Sequence, residues 1–225
     1  MFWFVSFRDC FVLSCPRLRQ PLGICGLVAG VLLAVPALAD YEQGRQVLSA
    51  DQFAVLEPRA RIEPENRMTQ ERIETLLPVL MQEAGLDVWV VINREYAEDP
   101  VYFTLVPQPS FAARRTTMLV FHRVENEAGE PRVRALSVNR YPLGEPYEIA
   151  WSGGDLDAQW AALGDLLVSL DAERIGINVS THWPVADGLT HGLYERLLEV
   201  LPESEHTRLV PAQDLVVRWL ETRTE

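Results

Sequence analysis

The chain contains no lysine: all 20 basic residues among its 225 are arginine. Without an ε-amino group, P-loop, Schiff-base and lysine general-base chemistries are excluded. Cysteine is nearly as scarce. The three present, Cys10, Cys15 and Cys25, all fall within the first 25 residues. Positive charge is short as well, with 20 basic against 32 acidic residues and a formal net charge of −12. A chain this acidic repels nucleic acid and anionic lipid. The spacings that cradle phosphates are missing. The stretch Trp151–Asp155 (WSGGD) has two glycines but fits neither GxGxxG nor GxxxxGK, and reads as a flexible loop. Ser152 is not in a GxSxG elbow, and no HExxH pattern occurs.

The first segment has the make-up of an export signal. Arg17 and Arg19 precede an apolar run from Leu22 to Val35, and Ala37-Leu38-Ala39 supplies a small-x-small cleavage pattern. The 14-residue run is short for a membrane span. Residues 1–39 are therefore expected to be a signal peptide, with the product exported to a periplasmic or secreted location. An uncleaved anchor is the alternative. A lipoprotein is disfavoured because Ile24 precedes Cys25. Cleavage would leave 186 of the 225 residues, with 17 basic and 31 acidic side chains and a net charge of −14. No disulfide, thiolate ligand or cysteine nucleophile would remain.

What is present is a helix feeding a strand. Ile73, Leu76, Leu77, Leu80 and Ala84 recur at helical spacing. Gly85 stands where a left-handed residue ends a helix. Val88-Trp89-Val90-Val91-Ile92 is an unbroken β-branched and aromatic run, the mark of a strand covered on both faces. Residues 40–64 read as an N-terminal extension, with a short helix over 49–56 and chain breaks at Pro58 and Pro64. The first main helix is expected from Glu65, bent at Pro78. Residues 101–106 form a short turn or helix. Thr116–His122 and Val133–Val138 read as antiparallel strands joined by a Gly-containing turn. Residues 141–154 read as a loop. Asp155 or Asp157 caps a helix through Leu170. A strand over 174–179, a helix over 187–201, a brief strand over 208–210 and a last helix from Ala212 complete the pattern. The alternation predicts an α/β fold with a mixed sheet flanked by helices.

Few clusters carry chemistry. Asp187, His191 and Glu195 share i, i+4, i+8 spacing. The outer two would lie about 12 Å apart along a helix, too far for one ion, so a solvated, mutually paired face is the reading adopted. His182 reads as a turn residue. Asn178-Val179-Ser180 is a formal glycosylation sequon at a strand end. Arg114-Arg115 is the one local basic pair. It suits either loop solubility or a carboxylate, which guanidinium geometry matches. On the last helix Leu215, Val216, Trp219 and Leu220 form an apolar stripe on an element too short to be stable alone. They are the candidates for an interface, with Trp219 expected to stay partly exposed or buried in self-association.

One ordered set of segments resembles a known family. ERIGINVSTHWPVADGLTHGLYERLLEVLPE and LVPAQDLVVRWLETRT, with LLPVLMQEAGLDVWVV upstream, resemble the N-terminal domain of creatinase/prolidase-type proteins, the Xaa-Pro peptidase superfamily. The segment VYFTLV stands where the family commonly has Y-[LF]-T-G-[FY], with Leu105 in place of the glycine. The resemblance covers roughly Glu65 to Thr224. It implies a ribonuclease H-like α/β domain over 65–211 and, over 212–225, the start of a linker helix to a pita-bread catalytic domain. That catalytic domain would hold two divalent metal ions such as manganese. None of its ligands is assigned here, so no cofactor is expected in this chain. The implied role is non-catalytic: oligomer contacts and shaping of substrate access. The implied partners are a catalytic domain or a second copy. Tyr102, Phe103, Arg114 and Arg115 are then the candidates for a substrate mouth. A free-standing exported binding module with the same fold, and an enzyme with a site of its own, remain open.

Overall fold

The computed structural model describes residues 56–223. The expected signal segment and nearly all of the short helix over 49–56 lie outside the described residues.

The chain enters through a helical run. Helix α1 (Pro58–Glu71) leads through a π-helical turn (Arg72–Leu76) into α2 (Leu77–Glu83). Two expectations are corrected here. The helix begins at Pro58, not near Glu65, because a proline in the first turn has no N–H to lose. It also passes through Pro64. α1 buries no side chain, so solvent is at hand for the carbonyl that this proline leaves unpaired. Pro78 is absorbed rather than breaking the chain. In the π turn just ahead of it, the Leu77 N–H reaches back five residues to the Arg72 carbonyl. Gly85 then ends α2 at φ +65°, and the Leu86 N–H closes on the Met81 carbonyl at 2.9 Å.

Strand β1 (Val88–Arg94) is buried along its length except at Arg94. It pairs antiparallel with β2 (Thr116–Glu125), which pairs antiparallel with β3 (Pro131–Asn139). On its other side β1 runs parallel to β5 (Ile175–Ile177), which in turn runs parallel to β6 (Leu209–Pro211). A short edge strand, β4 (Glu148–Trp151), runs parallel to β3, giving the order β4-β3-β2-β1-β5-β6. The loop expected over 141–154 thus contains a strand. Its flanking prolines and glycines mask four residues that bury little side-chain surface.

Helices cover both faces of this mixed sheet. On one face Trp89, Val91, Leu119 and Phe121 pack with Ile73, Leu77 and Met81 and with the last helix, α6 (Gln213–Glu221). On the other, Val90, Ile92, Met118 and Val120 pack with α3 (Leu156–Ser169) and α4 (His191–Val200). The alternation along β1 accounts for the two cores: odd-numbered residues serve one face and even-numbered the other. A four-residue helix, α5 (Glu203–His206), links α4 to β6.

The start of α4 is a further correction. It begins at His191 with Thr190 as cap, because Pro184–Ala186 forms a separate 3-10 turn. Asp187 therefore lies off the helix, where its Oδ1 accepts the Ser180 N–H at 3.1 Å. Only His191 and Glu195 remain paired, at 3.2 Å.

Candidate functional site

Strand register brings scattered arginines together. Arg94 closes β1 opposite Thr116, the first residue of β2. Thr117 stands opposite Asn139, the last residue of β3. Arg115 and Arg140, each one step beyond a strand, therefore meet Arg94 at one end of the sheet. These three and Arg114 line a cavity of about 370 Å³, with Gly153, Gly154 and the cap of α3 on its other wall.

The backbone there is unusual. Tyr96, Arg114 and Arg115 hold φ of 68°, 37° and 70°. The left-handed region costs a non-glycine residue on the order of 1–3 kcal/mol, and such strain gathers at ligand sites. The Glu95–Arg115 pairing holds the loop. The Glu95 N–H donates to the Arg115 carbonyl at 2.7 Å, and Glu95 Oε2 accepts the Arg115 N–H at 3.1 Å. Across the cavity Asp155 caps α3, its Oδ1 accepting the Ala158 N–H at 2.8 Å. This settles the capping residue as Asp155. Within WSGGD, Trp151 ends β4, and Gly153 and Gly154, at φ 92° and 61°, form the turn into the helix. Gln159, buried at the floor, donates to the Thr116 and Val138 carbonyls at 3.0 and 2.9 Å, fastening α3 to the sheet.

Four of the described arginines line this cleft. Arg123, Arg134, Arg196, Arg208 and Arg218 each hold a carboxylate. Among the described residues, none of Arg94, Arg114, Arg115 and Arg140 does. The two cleft carboxylates, Glu95 and Asp155, are engaged with backbone N–H groups. Four arginines and two acidic residues thus line the cleft, in a chain whose overall charge is −12. Tyr141 orders two of them, with Arg114 and Arg140 lying 5.0 and 5.8 Å from its ring centre. Planar guanidiniums without a carboxylate partner among the described residues suit bidentate binding of a carboxylate or another oxyanion.

A second cavity of about 260 Å³ adjoins the first through a shared wall, Arg114. It is lined by Tyr102, Phe111, Tyr141 and Leu143, with Asn139 among them. The Asn139 side chain is 3% exposed, and its Oδ1 has no hydrogen-bond partner among the described residues.

The four mouth candidates divide. Tyr102, 1% exposed, donates its hydroxyl to the Ala112 carbonyl at 3.2 Å and shares the second cavity with Arg114. Arg115 joins Arg114 in the first. Phe103, 45% exposed, packs edge-on against Tyr102 at 5.1 Å but opens elsewhere, beside Arg72 and Trp219. Sequence reasoning missed Arg94, Tyr96, Asn139 and Arg140. Each stands alone in a polar stretch, and only strand pairing unites them.

The interface candidates need correction too. Leu215, Val216 and Trp219 lie in the core, and Leu220 is partly buried against it. The stripe of α6 is covered by α2 and the 3-10 turn Tyr102–Thr104 of its own domain, so Trp219 is 0% exposed. The sequon is closed as well. Asn178 is buried, accepting the Trp89 indole N–H at 2.7 Å and donating to Asp99 at 2.8 Å.

Among the described residues, no group of three or more His, Cys, Asp or Glu is placed to hold a metal ion. No described helix is long and apolar enough to cross a membrane. No family model, curated protein or solved structure matches the chain.

Proposed function

We propose that this is an exported, non-catalytic domain of the creatinase/prolidase N-terminal type, whose arginine cleft binds a carboxylate-bearing ligand. The observation that carries the binding role is the placement of Arg94, Arg114, Arg115 and Arg140 along one cavity, without a carboxylate partner among the described residues. The fold assignment draws on the sequence resemblance. A mixed six-stranded sheet, with an antiparallel β1–β3 unit and parallel β5 and β6, is in keeping with it. In that setting the cleft would meet the carboxylate of a peptide on its way to a metallopeptidase site, supplied by a catalytic domain or by another copy.

One observation favours the second reading, a free-standing binding module. The apolar stripe of α6 is already covered within this domain, so no other domain is needed to shield it.

Calorimetric titration of the full chain with N-acetylglycine tests the binding role. Each lost charged hydrogen bond should cost about 1.5–3 kcal/mol of affinity. A chain with Arg114→Gln and Arg115→Gln should therefore bind at least about tenfold more weakly. Unchanged affinity in a folded double variant would remove the cleft from the function.

A further inference from the structure

We propose that a second copy of this chain supplies the carboxylates: the tip of the β2–β3 hairpin of one copy docks head to tail on the arginine cleft of the next. This rests on the reading of the cleft as a carboxylate site, and it names the partner.

The two surfaces lie at opposite ends of the same pair of strands. The cleft stands where β2 begins and β3 ends, at Thr116 and Arg140. The tip stands where β2 ends and β3 begins, at Glu125 and Pro131. The ten residues of β2 separate them, about 30 Å at the rise of a strand, so a tip cannot fill the cleft of its own copy. Towards the tip the hairpin outruns its neighbours. Pairing with β1 stops at His122 and pairing with β4 at Leu136, yet β2 and β3 stay paired out to Glu125 and Pro131. The turn is ordered. Asn126 Oδ1 accepts the Ala128 and Glu130 N–H groups, each at 2.9 Å, and the Asn126 N–H donates to the Glu130 carbonyl at 3.0 Å. A projection ordered in advance has little freedom left to lose on docking. From Glu125 to Glu130 every charged residue is acidic and exposed. Glu130 lies 3.5 Å from Arg132, whereas Glu125 and Glu127 have no cation partner among the described residues. The receiving end offers more than charge. Tyr96 and Phe111, 91% and 86% exposed, are the most exposed large hydrophobic side chains among the described residues. Tyr96 lines the cleft, Phe111 lines the adjoining cavity, and Arg114 lines both. Aromatic and arginine side chains together are what protein interfaces are enriched in. A small acid would leave both rings in water. Because unlike ends meet, the contact is heterologous and does not close on itself at a dimer.

The test is sedimentation velocity on the full chain across a concentration series, with two double variants. The native chain should associate with rising concentration and grow past a dimer. Glu125→Gln with Glu127→Gln, at exposed positions that hold nothing in the fold, should weaken association about tenfold or more, as should Arg114→Gln with Arg115→Gln. Mixed in equal amounts, the two double variants should recover one contact, the intact tip of one on the intact cleft of the other, and stop at a 1:1 pair. Phe111→Ala should weaken association severalfold and leave N-acetylglycine binding unchanged. A chain that stays monomeric yet binds N-acetylglycine through Arg114 and Arg115 would overturn the hairpin contact while sparing the carboxylate reading. Association indifferent to either double variant, or a mixture that recovers nothing, would also overturn the contact. Neither association nor N-acetylglycine binding would overturn both.

Discussion

Trp219 donates its indole N–H to the Thr104 hydroxyl at 2.8 Å, tying the last helix to the turn between β1 and β2. Arg72 closes the arrangement from the π turn. Its guanidinium lies 4.3 Å from the Trp219 ring centre and donates to the carbonyls of Trp219 and Thr222. Burial, with Arg223 nearby, lowers the Arg72 pKa, so the ring and the two carbonyls must offset a desolvation cost. A π turn offers a reason for this placement: its extra residue resets the helix face, setting Arg72 towards α6 while Ile73 stays in the core.

α6 is therefore structural. Trp219→Ala removes a fully buried indole and should destabilise the domain by about 3–5 kcal/mol. Urea unfolding followed by circular dichroism reads this directly. A loss within about 0.5 kcal/mol, the range of ordinary surface substitutions, would show that the helix is dispensable.

Gly188 should tolerate no side chain. A Cβ there would collide with the Asp99 carboxylate. That carboxylate cannot easily move, because it accepts the Val101 N–H at 3.0 Å and the Asn178 amide at 2.8 Å. Its backbone N–H is itself held by Asn93 Oδ1 at 3.0 Å. Gly188→Ala should cost about 1–3 kcal/mol, the usual penalty of overpacking a rigid interior. Denaturant midpoints of the two forms, compared at equal slope, check it.

Acid should weaken the fold in part through His122. Burial lowers its pKa below 6.5, and the neighbouring Arg134 and Arg123 add to this against the opposing pull of Asp87. Its Nδ1 is buried without a partner among the described residues. The folded protein keeps the ring neutral while the unfolded chain takes up a proton. The contribution is thus fully present above pH 6.5 and lost as pH falls through the depressed folded value. His122→Phe should flatten that part of the profile of melting temperature against pH. A profile identical to that of the native chain would exclude His122 as the source.

The central helix and strand were legible from the start because their signals are local. The stripe from Ile73 to Ala84, Gly85 and the run Val88–Ile92 each follow from backbone geometry within a few residues. β4 was not legible, since an exposed edge strand has no alternation to betray it. Pro58 and Pro64 misled because the penalty for a proline depends on whether solvent can reach the freed carbonyl. The site was half legible. Arg114-Arg115 shows as a pair in the sequence, but Arg94 and Arg140 join it only through the pairing of β1, β2 and β3. Trp219 was misjudged because an amphipathic stripe does not say which surface covers it. Here the cover is Thr104 and Arg72, more than a hundred residues upstream in sequence.

The cleft is tested most directly by arginine-resolved nuclear magnetic resonance. The side-chain Nε–H signals of the folded chain would be followed during titration with N-acetylglycine. Signals of Arg114, Arg115, Arg140 and Arg94 should shift together and saturate. Those of Arg123, Arg196 and Arg208, already held by carboxylates, should stay in place. Uniform small shifts across every arginine, or none at the cleft, would contradict a built anion site at this end of the sheet.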